Sequence, residues 1–488
     1  MRTRLEDSMS RLLGWAMRFT PVALMVVVVS YFTAKQIATP HHRMIKMVVL
    51  GGMLVFMFRF DIVYSVWAFT ILFPFPSGIT IGSTNSIMVT LITLTWAIRA
   101  TSTGQRVTSP TRYDWAIVLL LLAYVMSFYN CETETQVVRG LNVFWKQISA
   151  VLYFYLILRF VDDEKRLISF TKVVGVMLSL VVLTGVIELF APGSTLIPGW
   201  FSLPKLHHET SITYRIHGLR LGGAVGAGNL LSDMCSLSVF ILVYHAIHSR
   251  NPLERFMWAM ASLASIAVLL GTANRGAFLS LALALFYTVF WFRHRVSFAK
   301  MVMIVAFVVA VFVGTQLFLD RFTYAASLTD RIIHTKMQGL TPDTRVGVWK
   351  PAFMKSLEHP LIGHGPYYDT GWGLTFQYWP HNAYIYYFYT IGLVGVVAFL
   401  WVSGLLVKRS LVFRRPGMLG TPLGDLGAIF HILLVMLLFG QLRTDHQRDD
   451  VNMYLVWLIF ALVATTANVI DKRSRAGTPV PEGQAAGG

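Results

Sequence analysis

FQYWPHNAYIYYFYTIGLVGVVAFLW, residues 376–401, joins a polar loop to an apolar helix, with Trp379-Pro380-His381-Asn382 at the joint. After Asn382 the chain stays aromatic and aliphatic long enough to cross a bilayer, which takes about 20 residues. The interval before the joint, from Asp320, is the one long polar stretch between apolar segments. It spends about 60 residues where loops beyond about 15 are uncommon and often functional. In both directions from this joint the chain otherwise runs from one apolar segment to the next.

These segments predict an all-α, polytopic membrane protein of about fourteen transmembrane helices, with the long periplasmic loop before the twelfth. Spans are expected near 19–37, 45–59, 62–79, 84–99, 114–129, 146–160, 168–191, 226–247, 255–272, 276–292, 301–319, 382–406, 424–441 and 452–471. The chain divides into a cytoplasmic N-terminus (1–18), spans one to eleven (19–319), the long polar loop (320–381), the last three spans (382–471) and a disordered cytoplasmic tail (472–488).

Composition agrees: 55% of residues are hydrophobic and 13% charged, which excludes an ordinary soluble domain. The net charge of +17 does not indicate nucleic acid, because the basic residues are spread through short inter-helix loops rather than one patch. Arg2, Arg4 and Arg11 precede an apolar run as in a signal peptide, but Lys35 and Gln36 follow without a small-residue cleavage site, so an uncleaved first span is expected. Cytoplasmic loops then carry Arg99, Arg106 and Arg112; Arg159, Lys165 and Arg166; Arg250 and Arg255; Arg293, Arg295 and Lys300; Lys408, Arg409, Arg414 and Arg415. Lys472, Arg473 and Arg475 close the set, and both termini fall in the cytoplasm. The opposite face receives Arg215, Arg220, Arg275, Arg345, Arg443 and Arg448, on the side that positive charge avoids. Cys131 and Cys235 form no disulfide framework.

Several of these residues suit chemistry on an anion. Arg275 lies in Gly271-Thr272-Ala273-Asn274-Arg275-Gly276, where the two glycines are expected to turn the backbone sharply and hold a planar fork of donors at fixed depth. Such a fork matches a diphosphate. Arg215 and Arg220 precede a glycine-rich run, Gly222 to Gly228, which lacks a P-loop ending and is expected to serve close helix packing or a flexible entry to the next span rather than a phosphate nest. Pro351 is expected to open a short helix whose Phe353 and Leu357 lie on the membrane. Trp372, Phe376, Tyr378 and Trp379 fit an interfacial aromatic belt.

His381 stands at a helix start with Asn382 as cap, where a neutral imidazole can take a proton from a hydroxyl nucleophile. Asp162-Asp163-Glu164 is expected to cap a helix, and Arg448-Asp449-Asp450 to form an internal ion pair. Metal-ligand spacing is absent: no His-x-x-x-His or Cys-x-x-Cys pair occurs, and no metal or cofactor is expected.

Three segments stand together: Thr272 to Ala277; Arg345 to Trp349 with Pro360-Leu361-Ile362-Gly363-His364-Gly365-Pro366; and His381-Asn382-Ala383-Tyr384 with Gly392-Leu393-Val394-Gly395. In this order they resemble the O-antigen ligase and polymerase superfamily over roughly 260–400, with a looser similarity at Arg215-x-x-Gly218. Asn274 stands where a serine is common, and Gly228-Asn229 replaces a usual Pro-Asn pair, which leaves both Arg215 and Arg220 as candidates. The resemblance implies a metal-independent glycosyltransferase of the bacterial inner membrane. It would move a glycan from undecaprenyl diphosphate to the hydroxyl of an acceptor glycan, lipid or lipid-linked repeat unit. Arg275 and Arg215 would bind the diphosphate, with Arg345 and Arg220 as further candidates, and His381 would be the base. The surplus arginines and the span count favour a polymerase or ligase of a surface or exopolysaccharide. The competing class is a lipid-linked oligosaccharide flippase, which the lack of internal repeats disfavours.

Overall fold

Apolar runs bounded by capping residues form helices close to where the sequence puts them. The computed structural model describes residues 61–75, 84–104, 110–191, 221–225, 228–292, 298–323, 328, 332, 337–338, 341–368, 379–414, 418, 420–444 and 450–475. The first two expected spans, the tail from Ala476, Arg215, Arg220, Arg448, Trp372, Phe376 and Tyr378 lie outside the described residues.

In chain order the helices are α1 (Ile62–Leu72), α2 (Thr84–Ser102), α3 (Asp114–Ser127), α4 (Glu134–Phe160), α5 (Glu164–Phe190), α6 (Gly228–His248), α7 (Pro252–Gly271), α8 (Arg275–Phe292), α9 (Phe298–Phe322), α10 (Asp343–Ser356), α11 (Ala383–Ser410), α12 (Pro422–Gly440) and α13 (Asp450–Arg475). Seven of them (α4 to α7 and α11 to α13) are long and apolar enough to cross a membrane. A two-residue hairpin, β1 (Met337–Gln338) against β2 (Thr341–Pro342), leads into α10.

Local chemistry sets the helix starts. Thr133 accepts from the Gln136 amide while the Gln136 side chain accepts from the Thr133 amide, a reciprocal cap that starts α4 at Glu134, well before the expected 146. Asp163 caps α5 by accepting from the Arg166 amide, as expected of the acidic cluster. Asn251 and Thr421 cap α7 and α12, each followed by a proline that suits a first helical position. For α10 the expectation is corrected. The helix opens at Asp343 and Pro351 falls inside it, so its first half extends the helix toward the site.

Within the bundle α6 and α13 are the inner helices, 83% and 94% buried over their most apolar windows. Without a hydrophobic drive between helices in lipid, close approach and polar contacts hold them together. A Cβ at Gly185 of α5 would meet Val268 of α7 at 2.4 Å, so glycine lets these two helices touch. Ser149 of α4 links Ser86 of α2 (2.8 Å) and the Tyr454 hydroxyl of α13 (2.7 Å).

Contacts sort the helix ends into two sets. At one end Lys472 and Arg473 meet Asp162 and Glu164, Arg409 meets Asp471, and Lys172 meets Glu254. At the other, Lys146 pairs with Asp450 at 3.1 Å, Ala383 N–H donates to the Gln441 carbonyl, and Asn130 donates to the Gly363 carbonyl. Asp450 thus pairs with another helix, outside its own Arg448-Asp449-Asp450 run. His381 belongs to this second end.

Candidate active site

The Pro360–Pro366 segment packs where α11 breaks. Gly392 has φ 68° and ψ −170°, which interrupts the helical ladder. The stranded groups are taken up by the loop: Leu393 and Val394 amides donate to the Pro360 (2.8 Å) and Leu361 (3.2 Å) carbonyls. In return His364 and Gly365 amides donate to the Tyr389 (2.8 Å) and Thr390 (3.1 Å) carbonyls. Irregular backbone is tolerated at membrane depth only when buried groups find partners in this way. Side chains are excluded from the contact, since a Cβ at Gly363 would lie 2.4 Å from the Thr390 oxygen and one at Gly392 would lie 2.2 Å from the Leu361 oxygen. His364 fills the rest, its Nε2–H donating to the Lys355 carbonyl (2.8 Å) and its ring stacked on Tyr389. Burial holds its imidazole below the usual histidine range.

This dock aims the start of α11. Asn382 caps the helix, its side chain accepting from the amides of Tyr384 (3.0 Å) and Ile385 (3.1 Å), as expected. The preceding His381 sits at φ 48°, a left-handed conformation disfavoured for a residue with a Cβ. Trp379 is stacked among Tyr368 and Tyr386 inside an aromatic cluster rather than lying in a peripheral belt. Arg345 and Trp349, one turn apart on α10, grip the joint from one face. The Trp349 indole donates to the Pro380 carbonyl. Arg345 Nη1 donates to the carbonyls of His381 (2.9 Å) and Arg443 (2.6 Å).

Arg443 closes the circuit to Arg275. Its guanidinium pairs with Asp233 of α6 through Nη2, donates to Ser280 Oγ through Nε (2.9 Å) and to Thr444 Oγ1 through Nη1 (3.2 Å). Its stem crosses the Arg275-Gly276 turn so closely that a Cβ at Gly276 would sit 2.5 Å from Arg443 Cδ. The expectation that Gly271 and Gly276 make the turn is therefore corrected. Ala273 carries the positive φ (49°), while Gly271 and Gly276 leave room for Leu221 and Arg443. Asn274 secures the turn by donating to Asn229 Oδ1 (3.1 Å) and Ser232 Oγ (2.7 Å), and its carbonyl oxygen of the side chain accepts from the amides of Gly276 (3.1 Å) and Ala277 (3.3 Å). An asparagine thus braces this turn through both ends of its amide.

The glycine-rich run has an occupant. Glu188 Oε2 accepts from the amides of Gly222 (2.9 Å) and Gly223 (2.6 Å), so a carboxylate of α5 fills the nest. This agrees with a packing role for these glycines.

The structure brings His381 and Arg345 into direct contact and joins them through Arg443 to the turn of Arg275. Sequence reading missed Asp233 as a partner, although a carboxylate inside an apolar span is itself a signal. Among the described residues, no group of three or more His, Cys, Asp or Glu side chains is arranged to hold a metal ion.

A family model described as O-antigen ligase matches residues 259–400, a stretch that contains the Arg275 turn, α10, the Pro360–Pro366 dock and His381. Comparison with curated proteins gives no match. The segments assembled around His381 are those of the matched domain, so over this stretch the chain is similar to the O-antigen ligase/polymerase superfamily.

Proposed function

We propose that this protein is a glycosyltransferase at the periplasmic face of a bacterial inner membrane, both termini cytoplasmic, that moves a glycan from undecaprenyl diphosphate to an acceptor hydroxyl as polymerase or ligase. The family gives the coarser role, in O-antigen ligation or polymerisation during surface-polysaccharide assembly. The finer reading is carried by the Arg345 bridge, which makes the base candidate and the turn of the cation candidate parts of one assembly. His381 takes the proton of the acceptor hydroxyl as its oxygen bonds to the anomeric carbon. The bond from that carbon to the diphosphate oxygen breaks, and its electron pair leaves with the lipid diphosphate. Arg275 and Arg215, with Arg220 in reserve, offset the charge that develops there. Arg345, a further candidate for the diphosphate, also donates to the His381 carbonyl and so holds the backbone of the base in place. Attack opposite the leaving group inverts the anomeric centre, so a retained linkage in the product contradicts this mechanism.

The test is glycan transfer in reconstituted membranes supplied with undecaprenyl-diphosphate glycan from the host, comparing wild type, His381→Ala and Arg275→Ala with and without chelator. Loss of the base is expected to cost about 10²–10⁴-fold in rate. Transfer that survives chelator and is lost in both variants supports the proposal, and a ladder of longer lipid-linked products selects the polymerase. Full transfer in both variants would sink it in favour of a flippase or scaffold.

A further inference from the structure

Asp233 lies in the first turns of α6 with its carboxylate almost wholly buried, 6% exposed, and its partner Arg443 is 15% exposed. A buried ion pair is weak evidence for stability, because desolvation offsets most of the attraction. Its position is more informative than its energy. Each of the three guanidinium nitrogens of Arg443 has a protein partner: Asp233, Ser280 and Thr444. The side chain is therefore engaged with α6 and α8 while its stem lies over Gly276, next to Arg275. Its backbone carbonyl accepts from Arg345, which also donates to the His381 carbonyl. The same first turns of α6 brace the Arg275 turn directly, through Asn229 and Ser232 on Asn274.

One helix start thus fixes both the cationic turn and, two links away, the backbone of the base. The backbone at both places is strained. Ala273 and His381 are the non-glycine residues with positive φ among the described residues, and such strain persists only where surroundings over-determine it.

We infer that the Asp233–Arg443 ion pair is a positioning element for glycosyl transfer, setting His381 against the Arg275 turn without itself contacting the lipid diphosphate. The inference rests on the functional reading above. It assigns Arg443 a different role from the anion-binding arginines. A positioning pair changes how often the bound donor and base are aligned, so its loss falls on kcat. A diphosphate ligand would fall on donor binding as well.

The experiment uses the full chain in proteoliposomes with undecaprenyl-diphosphate glycan and the host acceptor. It compares Asp233→Asn, Arg443→Gln, Arg443→Lys and the double variant Asp233→Asn/Arg443→Gln, with His381→Ala as control. The single neutral variants are expected to lose about 10²-fold in kcat, the scale of a 1 Å misplacement, while donor KM stays within about 3-fold. Arg443→Lys, which keeps a charge for Asp233, is expected to recover part of the loss. Because a lone buried charge can prevent folding, the double variant decides if the singles do not accumulate: it removes both charges of this pair together and is expected to fold with the same kcat deficit. Wild-type kcat in the double variant overturns the inference. So does a donor KM raised more than about 10-fold with kcat intact, which makes Arg443 a diphosphate ligand. Full activity of His381→Ala instead overturns the underlying site, a result that none of the ion-pair variants can mimic.

Discussion

The two ends of the helix bundle are held by different means. At the end carrying Asp471 and Asp425, ion pairs between side chains peg neighbouring helices: Arg409 to Asp471, Arg473 to Glu164, Lys172 to Glu254, His248 to Asp425. At the end carrying His381, beside the Lys146–Asp450 and Asp233–Arg443 pairs, the added ties run through backbone carbonyls and amides, and left-handed backbone gathers at Ala273, Gly363, Gly365, His381 and Gly392. Long side chains swivel, so a peg tolerates error. Backbone-to-backbone contacts fix position to a fraction of an ångström, which is what the proposed alignment of His381 with a leaving diphosphate would demand. The first end needs the helices adjacent; the second needs them in register.

The largest expected departure from this picture comes from glycine replacement in the dock. Gly363→Ala places a Cβ 2.4 Å from the Thr390 oxygen at a residue with φ 74°. A side chain in the left-handed region costs about 1–2 kcal/mol and forced overpacking about 1–3 more. The Gly392→Ala variant meets the same obstacle from the other side, at 2.2 Å from the Leu361 oxygen. Both are expected to release the Pro360–Pro366 segment from α11, lower the melting temperature in lipid nanodiscs and abolish transfer. Rapid hydrogen exchange at the Leu393 and Val394 amides would locate the damage. An alanine variant with normal transfer and normal protection would mean that the dock is not what aims His381.

An intermediate effect is expected from the pegged end. Arg409→Met leaves Asp471 without its guanidinium and removes a donor to the Ala467 carbonyl. The pair is partly buried, and its loss is expected to cost about 1–3 kcal/mol. Transfer per folded molecule should not change, because none of the contacts on the His381 joint passes through Arg409. A rate loss matching that of the dock variants would erase the distinction between the ends.

How much of this was legible in the sequence follows from the kind of contact. From residue 62 onward a helix overlaps each expected span, seven of them long and apolar enough to cross a membrane, because apolar length and capping residues act locally and repeat along the chain. Asn382 as a cap and His381 as the residue before it were equally local. The start of α4 was misplaced because polar residues from Glu134 to Lys146 hide a helix that its Thr133–Gln136 box nucleates before the apolar run begins. The glycines of the Arg275 turn are expected from sequence to bend the backbone sharply, and they are clearances for Leu221 and Arg443. That distinction depends on which distant side chain lies opposite. Arg443 stood out as a charge on the unfavoured side, yet Asp233, 210 residues earlier, could not be matched to it without the packing of α6 against α8 and α12. Periodicity and charge bias report an element's own surroundings; a site assembled from several elements is written in their pairing.

The smallest expected effect separates the two ends by pH. His364 is buried against Lys355 and Tyr389, with Nε2–H committed to the Lys355 carbonyl, so a second proton on Nδ1 has to be borne as buried charge. Burial lowers the folded pKa below the unfolded value of about 6.5, so between the two the unfolded chain binds more protons. The stability contributed by the neutral ring is complete above about 6.5 and is lost on acidification through the lowered folded value. Exchange at the Leu393 and Val394 amides should therefore quicken as pH falls below neutrality, after correction for the intrinsic rate. His364→Gln, whose side-chain amide can still donate to the Lys355 carbonyl, should flatten that dependence while keeping the dock. If the variant retains the full acid sensitivity, the titrating group is not His364 and lies elsewhere in the protein.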